Sequence, residues 1–115
     1  MEKKDLGTTS INIQPNIAAF LSYLAGFITG IVFYLIEKEN KFVRFHAMQS
    51  IVTFGGFFVL SMGLGFVPVI GWALIPFLWL AQLILWIVLM IKAYQGEYFK
   101  LPIAGDIAEK NSSSV

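Results

Sequence analysis

An all-α fold, an integral membrane bundle of three transmembrane helices, is the class this sequence predicts, and two observations carry it. From Ala47 to Ile91 there are 45 residues without one charged side chain, and Ile17 to Ile36 is a second uncharged run of 20. A hydrocarbon core about 30 Å thick takes ~20 helical residues to cross. The longer run therefore holds two crossings and the shorter a third. All fifteen charged residues fall outside these runs.

Taken in order, residues 1–15 form a polar N-terminal segment, expected to be mobile up to Pro15, a residue tolerated in the first turn of a helix. The first helix is expected over about 16–36, too long an apolar run for a cleaved signal peptide. The charges Glu37, Lys38, Glu39 and Lys41 close it at the interface. The second helix is expected over about 45–66. Gly63, Gly65, Pro68 and Gly71 then break the long run, and the apolar tip Val67–Ile70 should stay at the interface. The third helix is expected over about 72–94. Pro76 either begins a helix near Ile75 or kinks one that begins at Trp72, and the shorter turn is the expectation. Gly96 is a plausible C-terminal stop. The transmembrane domain thus covers 16–95, and 96–115 is a cytoplasmic tail that is solvated, lies along the membrane surface, or docks under the bundle near the first loop; its last residues, Asn111 to Val115, read as disordered. No internal repeat is visible.

Composition narrows the function classes. Flanks of this size hold no separate soluble domain, since a core rarely forms below ~40 residues without disulfides or metal. Cysteine is absent and His46 is the only histidine, so neither a disulfide nor a metal site is expected, and no cofactor. A net charge of +1 without a clustered basic surface argues against nucleic acid as a partner. With three crossings, the first loop and the tail share a side and carry Lys38, Lys41, Arg44, Lys92, Lys100 and Lys110, against Lys3 and Lys4 opposite. Positive charge marks the cytoplasm, which places the protein in the cell membrane, multi-pass, with its C-terminus cytoplasmic and its N-terminus outside.

Three features could carry function. Ala18, Ser22, Gly26 and Gly30 recur every four residues, and small residues let helices approach closely in lipid; packing within the chain and self-association are both open. Arg44, at the interface, is followed by His46, Gln49, Ser50 and Thr53 on one helix face, a candidate site for a partner segment or an anionic headgroup, or a set of anchors and local hydrogen bonds. Gln82 lies near the bilayer midplane, where an unpaired amide is costly; a hydrogen bond to helix one, at Ser22, Gly26 or Thr29, is the simplest account, and a polar lining for a permeation path the functional one.

Four stretches, Asn16–Ala19, Glu37–Ser50, Lys92–Glu97 and Leu101–Ile107, resemble a family of small archaeal and bacterial integral membrane proteins of unknown function. The family is similar to the Tic-type import component of the chloroplast inner envelope, which has a comparable Arg-Phe-x-Ala-Met-Gln stretch, and to magnetosome membrane proteins. The resemblance implies a helical fold and a membrane location. No nucleophile–base or metal constellation points to an enzyme, and secondary transporters usually need two repeats around a midplane site. The expected function is a non-enzymatic assembly or accessory subunit acting through helix packing, with the lipid bilayer, further copies or other membrane proteins as partners. An oligomeric channel or transporter is the first alternative and a protein-translocation component the second.

Overall fold

The computed structural model describes residues 6–112. Within them the fold is all-helical: α1 Pro15–Leu24, α2 Phe27–Ile36, α3 Lys41–Gly65, α4 Ile70–Tyr94 and α5 Ala104–Lys110, with no strand among the described residues. Two of these, α3 and α4, are long and apolar enough to cross a membrane.

The expected first crossing is where sequence and structure part. In place of one helix over 16–36 stand two of ten residues each, about 15 Å apiece at 1.5 Å per residue. Gly26 separates them with φ 62° and ψ −136°, a backbone region that L side chains rarely occupy. The chain reverses there. Ser10, before α1, donates to the carboxylate of Glu37, after α2, from its N–H (2.9 Å) and its hydroxyl (2.8 Å). The Asn16 amide at the start of α1 donates to the Tyr94 carbonyl at the end of α4 (3.0 Å). At the far end, Gly26 packs on Phe54, midway along α3. The two short helices are a hairpin half the height of the two spans.

A reversal among apolar helices exposes backbone groups that lipid cannot satisfy. Side chains take up several of them. Thr29 Oγ1 accepts from the Ala25 N–H (3.0 Å) and donates to the Ser22 carbonyl (3.1 Å). Trp86 Nε1 on α4 donates to the Tyr23 carbonyl (2.7 Å), and Ser50 Oγ on α3 donates to the Gly26 carbonyl (2.8 Å). Because a polar side chain costs little beside a broken backbone, Thr29 and Ser50 sit in sequences that otherwise read as lipid-facing.

The spans begin earlier than expected. Asn40 caps α3 by accepting the Val43 N–H (3.0 Å), so the helix starts at Lys41 rather than near Phe45. Helix α4 starts at Ile70, not Trp72, and Pro76 lies inside it. Gly96 ends α4 with φ 80°: its N–H reaches the Ala93 carbonyl and that of Glu97 reaches Lys92 (both 3.0 Å), the paired bonds of a Schellman stop.

A four-residue device recurs that the sequence alone did not disclose. Pro68-Val69-Ile70-Gly71 and Pro102-Ile103-Ala104-Gly105 each start a helix through a γ-turn. Val69 (φ 67°, ψ −68°) and Ile103 (φ 68°, ψ −63°) are the central residues, closed by Ile70 N–H to Pro68 O (2.8 Å) and Ala104 N–H to Pro102 O (2.7 Å). This turn is rare and strained, more so on β-branched residues. The glycine that follows tucks each helix start against earlier chain: a Cβ on Gly71 would strike the Leu64 carbonyl, and one on Gly105 would lie 2.7 Å from Lys100 Cβ.

The consequence for topology is a correction. The N-terminal segment, the α2–α3 loop and the tail gather at one end of the molecule, and the 66–69 turn stands at the other. Two helices, not three, have the length of a crossing, and the described N-terminal residues lie at the same end of the molecule as the first loop. The polar segment expected to be mobile is laced to that loop: Asn40 Nδ2 donates to the Leu6 and Thr8 carbonyls (2.8 and 3.0 Å). The tail follows as an extended strap and then α5, which packs on α3. Asn111 and Ser112 join that packing, the Asn111 carbonyl accepting from Tyr34 Oη (2.8 Å); the rest of the segment expected to be disordered lies outside the described residues.

Candidate functional site

Beneath the hairpin the expected polar stripe is present on α3, and it turns inward. His46, Gln49 and Ser50 are fully buried, and Arg44 and Thr53 nearly so. Their partners are the hairpin, the loop and the strap of the same chain. His46 Nε2 lies 2.7 Å from the Glu97 carbonyl. A carbonyl only accepts, so Nε2 carries the proton, and in the neutral ring Nδ1 is the acceptor. The Tyr23 hydroxyl, 2.6 Å away, donates to it. That hydroxyl in turn accepts from Gln49 Nε2 (3.0 Å). The second Gln49 N–H goes to the Phe99 carbonyl (2.8 Å), while Gln49 Oε1 accepts the Leu101 N–H (3.0 Å).

The result is one directed chain of hydrogen bonds through α1, α3 and the strap. Gln49 pairs with the strap as a neighbouring strand would, one acceptor and one donor to alternate residues. Every polar hydrogen and acceptor of the Gln49 amide engages at least once. Around it pack Phe42, Phe45 and Tyr98, with ring centroids 4.6 Å (Phe42) and 5.1 Å (Phe45) from His46 and 4.9 Å between Phe42 and Tyr98. A saturated network inside an apolar shell is rigid. It is a latch that fastens hairpin and tail to the spans.

Arg44 and Glu37 hold the base of the hairpin. Arg44 Nη1 donates to the Tyr34 and Glu37 carbonyls (2.9 and 2.8 Å), and its guanidinium carbon stands 4.0 Å from the Tyr34 ring centre. A cation there meets the carbonyl end of α2, where the helix dipole favours it. The Glu37 carboxylate gathers the N–H groups of Ser10, Glu39 (3.0 Å) and Asn40 (2.9 Å) with the Ser10 hydroxyl. Burial alone would raise its pKa; the hydrogen bonds from Asn40, Ser10 and Glu39 outweigh it and hold the carboxyl below its ordinary range.

A group whose pKa is lowered by folding stabilises the fold above its unfolded value and loses that contribution as pH falls through the folded one. The thermal midpoint is therefore expected to drop as the solution is taken below about pH 4.3, the ordinary glutamate value. Glu37→Gln should start from a lower midpoint and show a shallower acid response. Parallel pH curves for the two proteins would mean that Glu37 does not anchor the hairpin.

The small-residue ladder is divided by the break. Ala18 and Ser22 are buried on α1 and Gly30 on α2, while Gly26 forms the tip. Gly30 lets α2 lie tight against α3: a Cβ there would lie 2.9 Å from the Ala47 carbonyl and 3.0 Å from Ser50. Ser50 reaches the tip rather than its own helix, and Thr53 Oγ1 is buried without a hydrogen bond. Gln82 makes no hydrogen bond to the hairpin. Half-buried on α4, it lines a cavity of about 350 Å³ between α3, α4 and the hairpin tip, with Ser61, Trp79 and Trp86 among the walls. Among the described residues no group of three or more His, Asp or Glu side chains converges to hold a metal ion.

Sequence reasoning missed Tyr23, Glu37, Trp86 and the strap backbone. Tyr23 offers one signal, a phenol well inside an apolar run; the others become partners only once the hairpin has folded back.

Comparison with known proteins gives consistent results. Residues 7–108 match the magnetosome magnetite crystal formation protein family. A UPF0132 membrane protein of Methanocaldococcus jannaschii is 58% identical over 107 residues, covering 93% of this chain and 96% of that one. A UPF0132 membrane protein of Archaeoglobus fulgidus is 54% identical over 103 residues, 90% of this chain and 100% of that one. A second M. jannaschii UPF0132 membrane protein is 44% identical over 101 residues, 88% and 72% of the two chains. No solved structure matches.

Proposed function

The chain belongs to the magnetosome magnetite crystal formation protein family, with relatives named as membrane proteins, and we propose that it acts in the membrane as a non-enzymatic assembly or accessory subunit. The observation that carries this reading is the bareness of α4. Of its 25 residues only Gly71, Leu89, Met90 and Ala93 are buried, and Phe77, Trp79, Leu80 and Ile84 are more than half exposed. The hairpin covers the half of the spans next to the termini. Beyond it α3 and α4 stand alone, a surface for other helices, from further copies or other membrane proteins. The latch supports the reading too, since its polar groups serve rigidity and not a reacting centre.

The proposed topology has two crossings and a half-height hairpin inserted from the side that holds both ends of the described chain. Lys38, Lys41, Arg44, Lys92, Lys100 and Lys110 all lie at that end and the 66–69 turn has no charge, so that side is cytoplasmic. The family is named for magnetite crystal formation; a role of this kind would here come through membrane assembly. A channel of several copies is the second reading, favoured by Gln82 and Ser61, which line one cavity.

Photo-reactive residues at Leu80 and Ile84, activated in intact membranes, should give discrete cross-linked bands, while the same group at Ile31 on α2 gives fewer. Labelling of lipid alone at both α4 positions would contradict the assembly reading. Ion flux from liposomes holding this protein alone would select the channel.

A further inference from the structure

We infer that the cavity between α3, α4 and the hairpin tip is a binding site for an uncharged amphiphile, one hydrogen-bonding head on a linear apolar tail. Its walls are apolar and aromatic, with Phe27 from the tip, Phe54 and Phe58 from α3, and Leu83 and Trp86 from α4. Against these stand three polar side chains, Ser61, Trp79 and Gln82. None of the three makes a hydrogen bond among the described residues, whereas Ser22, Ser50, Gln49, Trp72 and Trp86 all do. Apolar walls with a few convergent polar groups are the usual make-up of a small-molecule site, and about 350 Å³ is within the size range of such sites.

Depth selects the chemistry. Gln82 is twelve residues from either end of α4, about 18 Å along the helix in each direction, which on the proposed topology, on which this inference rests, is the middle of the bilayer. An unpaired amide there costs free energy, and so does a charged headgroup brought to meet it. A neutral hydroxyl or carbonyl meets both limits: Gln82 and Ser61 can each donate or accept, and the Trp79 indole can donate. A plain hydrocarbon chain fills the volume but leaves all three unpaired. Two kinds of membrane lipid share the required chemistry, an isoprenoid quinone with a carbonyl head and a polyprenol with a hydroxyl head.

The site reports on itself, since two of the three tryptophans, Trp79 and Trp86, line it. The full chain carrying Trp72→Phe, reconstituted in liposomes, is titrated with a short-tailed quinone as quencher; a polyprenol is then tested as competitor, and 1-bromododecane serves as a plain-chain quencher. Saturable quenching by the quinone is expected, with Gln82→Leu raising its midpoint about tenfold and leaving bromododecane quenching unchanged. Competition by the polyprenol places the hydroxyl lipid in the site as well, and saturation without competition assigns the carbonyl head. Quenching that rises linearly with quinone, an unchanged midpoint in Gln82→Leu, or equal saturation by bromododecane would each overturn the inference.

Discussion

Gly26→Ala is expected to destabilise the protein by about 1–3 kcal/mol, the cost of forcing an L residue into a sparsely populated backbone region. Thermal unfolding in mild detergent reads it directly. The sign is what matters. Were Gly26 inside one continuous crossing helix, alanine would be the better helix former by about 1 kcal/mol, and the variant would be more stable. Gly26→Leu should fare no better than alanine. Gly30→Leu should fail for a different reason, overpacking against the Ala47 carbonyl and Ser50, typically worth 1–3 kcal/mol. Leu24→Ala is the control: Leu24 is 48% exposed, and its truncation should cost much less.

Arg44→Gln is expected to cost about 3 kcal/mol, well beyond the effect of losing an interfacial anchor. Arg44 is 4% exposed, and its loss leaves the Tyr34 and Glu37 carbonyls at the end of α2 without their charged donor. Hydrogen bonds to charged groups contribute about 1.5–3 kcal/mol each before relaxation, and the stacking on Tyr34 adds a further ~0.5–1. Arg44→Lys should recover part of the loss, because a single ammonium keeps the charge at the dipole but lacks the planar fork. A midpoint for Arg44→Gln within a degree of the parent would mean that the guanidinium faces headgroups and not the hairpin.

These effects show what the sequence made legible. Charge silence over 47–91 announces α3, α4 and the break between them, because lipid excludes charge and turns need Gly and Pro; the ends of both spans fall within a few residues of expectation. The helical period also picks out His46, Gln49, Ser50 and Thr53 as one face, with Arg44 just before it. It does not tell which way the face points. That depends on the hairpin, and the hairpin depends on Gly26, a residue that hydropathy cannot distinguish from a packing glycine in a straight helix. Length misleads in the same way: 20 apolar residues suit one full crossing or two half-crossings equally well. Gln82 is expected to meet the Ser22–Thr29 face, but with the hairpin stopping at its level, the amide lines a cavity instead. The strap is the least legible part, since Gln49 reads its backbone, and backbone leaves no trace in composition.

The half-height hairpin gathers both ends of the described chain at one end of the molecule; the proposed topology puts that end on one side of the membrane, and single-cysteine labelling tests it most directly. The chain has no native cysteine, so Thr8→Cys, Val67→Cys and Lys110→Cys can each be probed alone with a membrane-impermeant maleimide. In inside-out vesicles, Thr8→Cys and Lys110→Cys should both label and Val67→Cys should not; in intact cells the pattern should reverse. Labelling of Thr8→Cys and Lys110→Cys from opposite sides would restore three full crossings and contradict the hairpin.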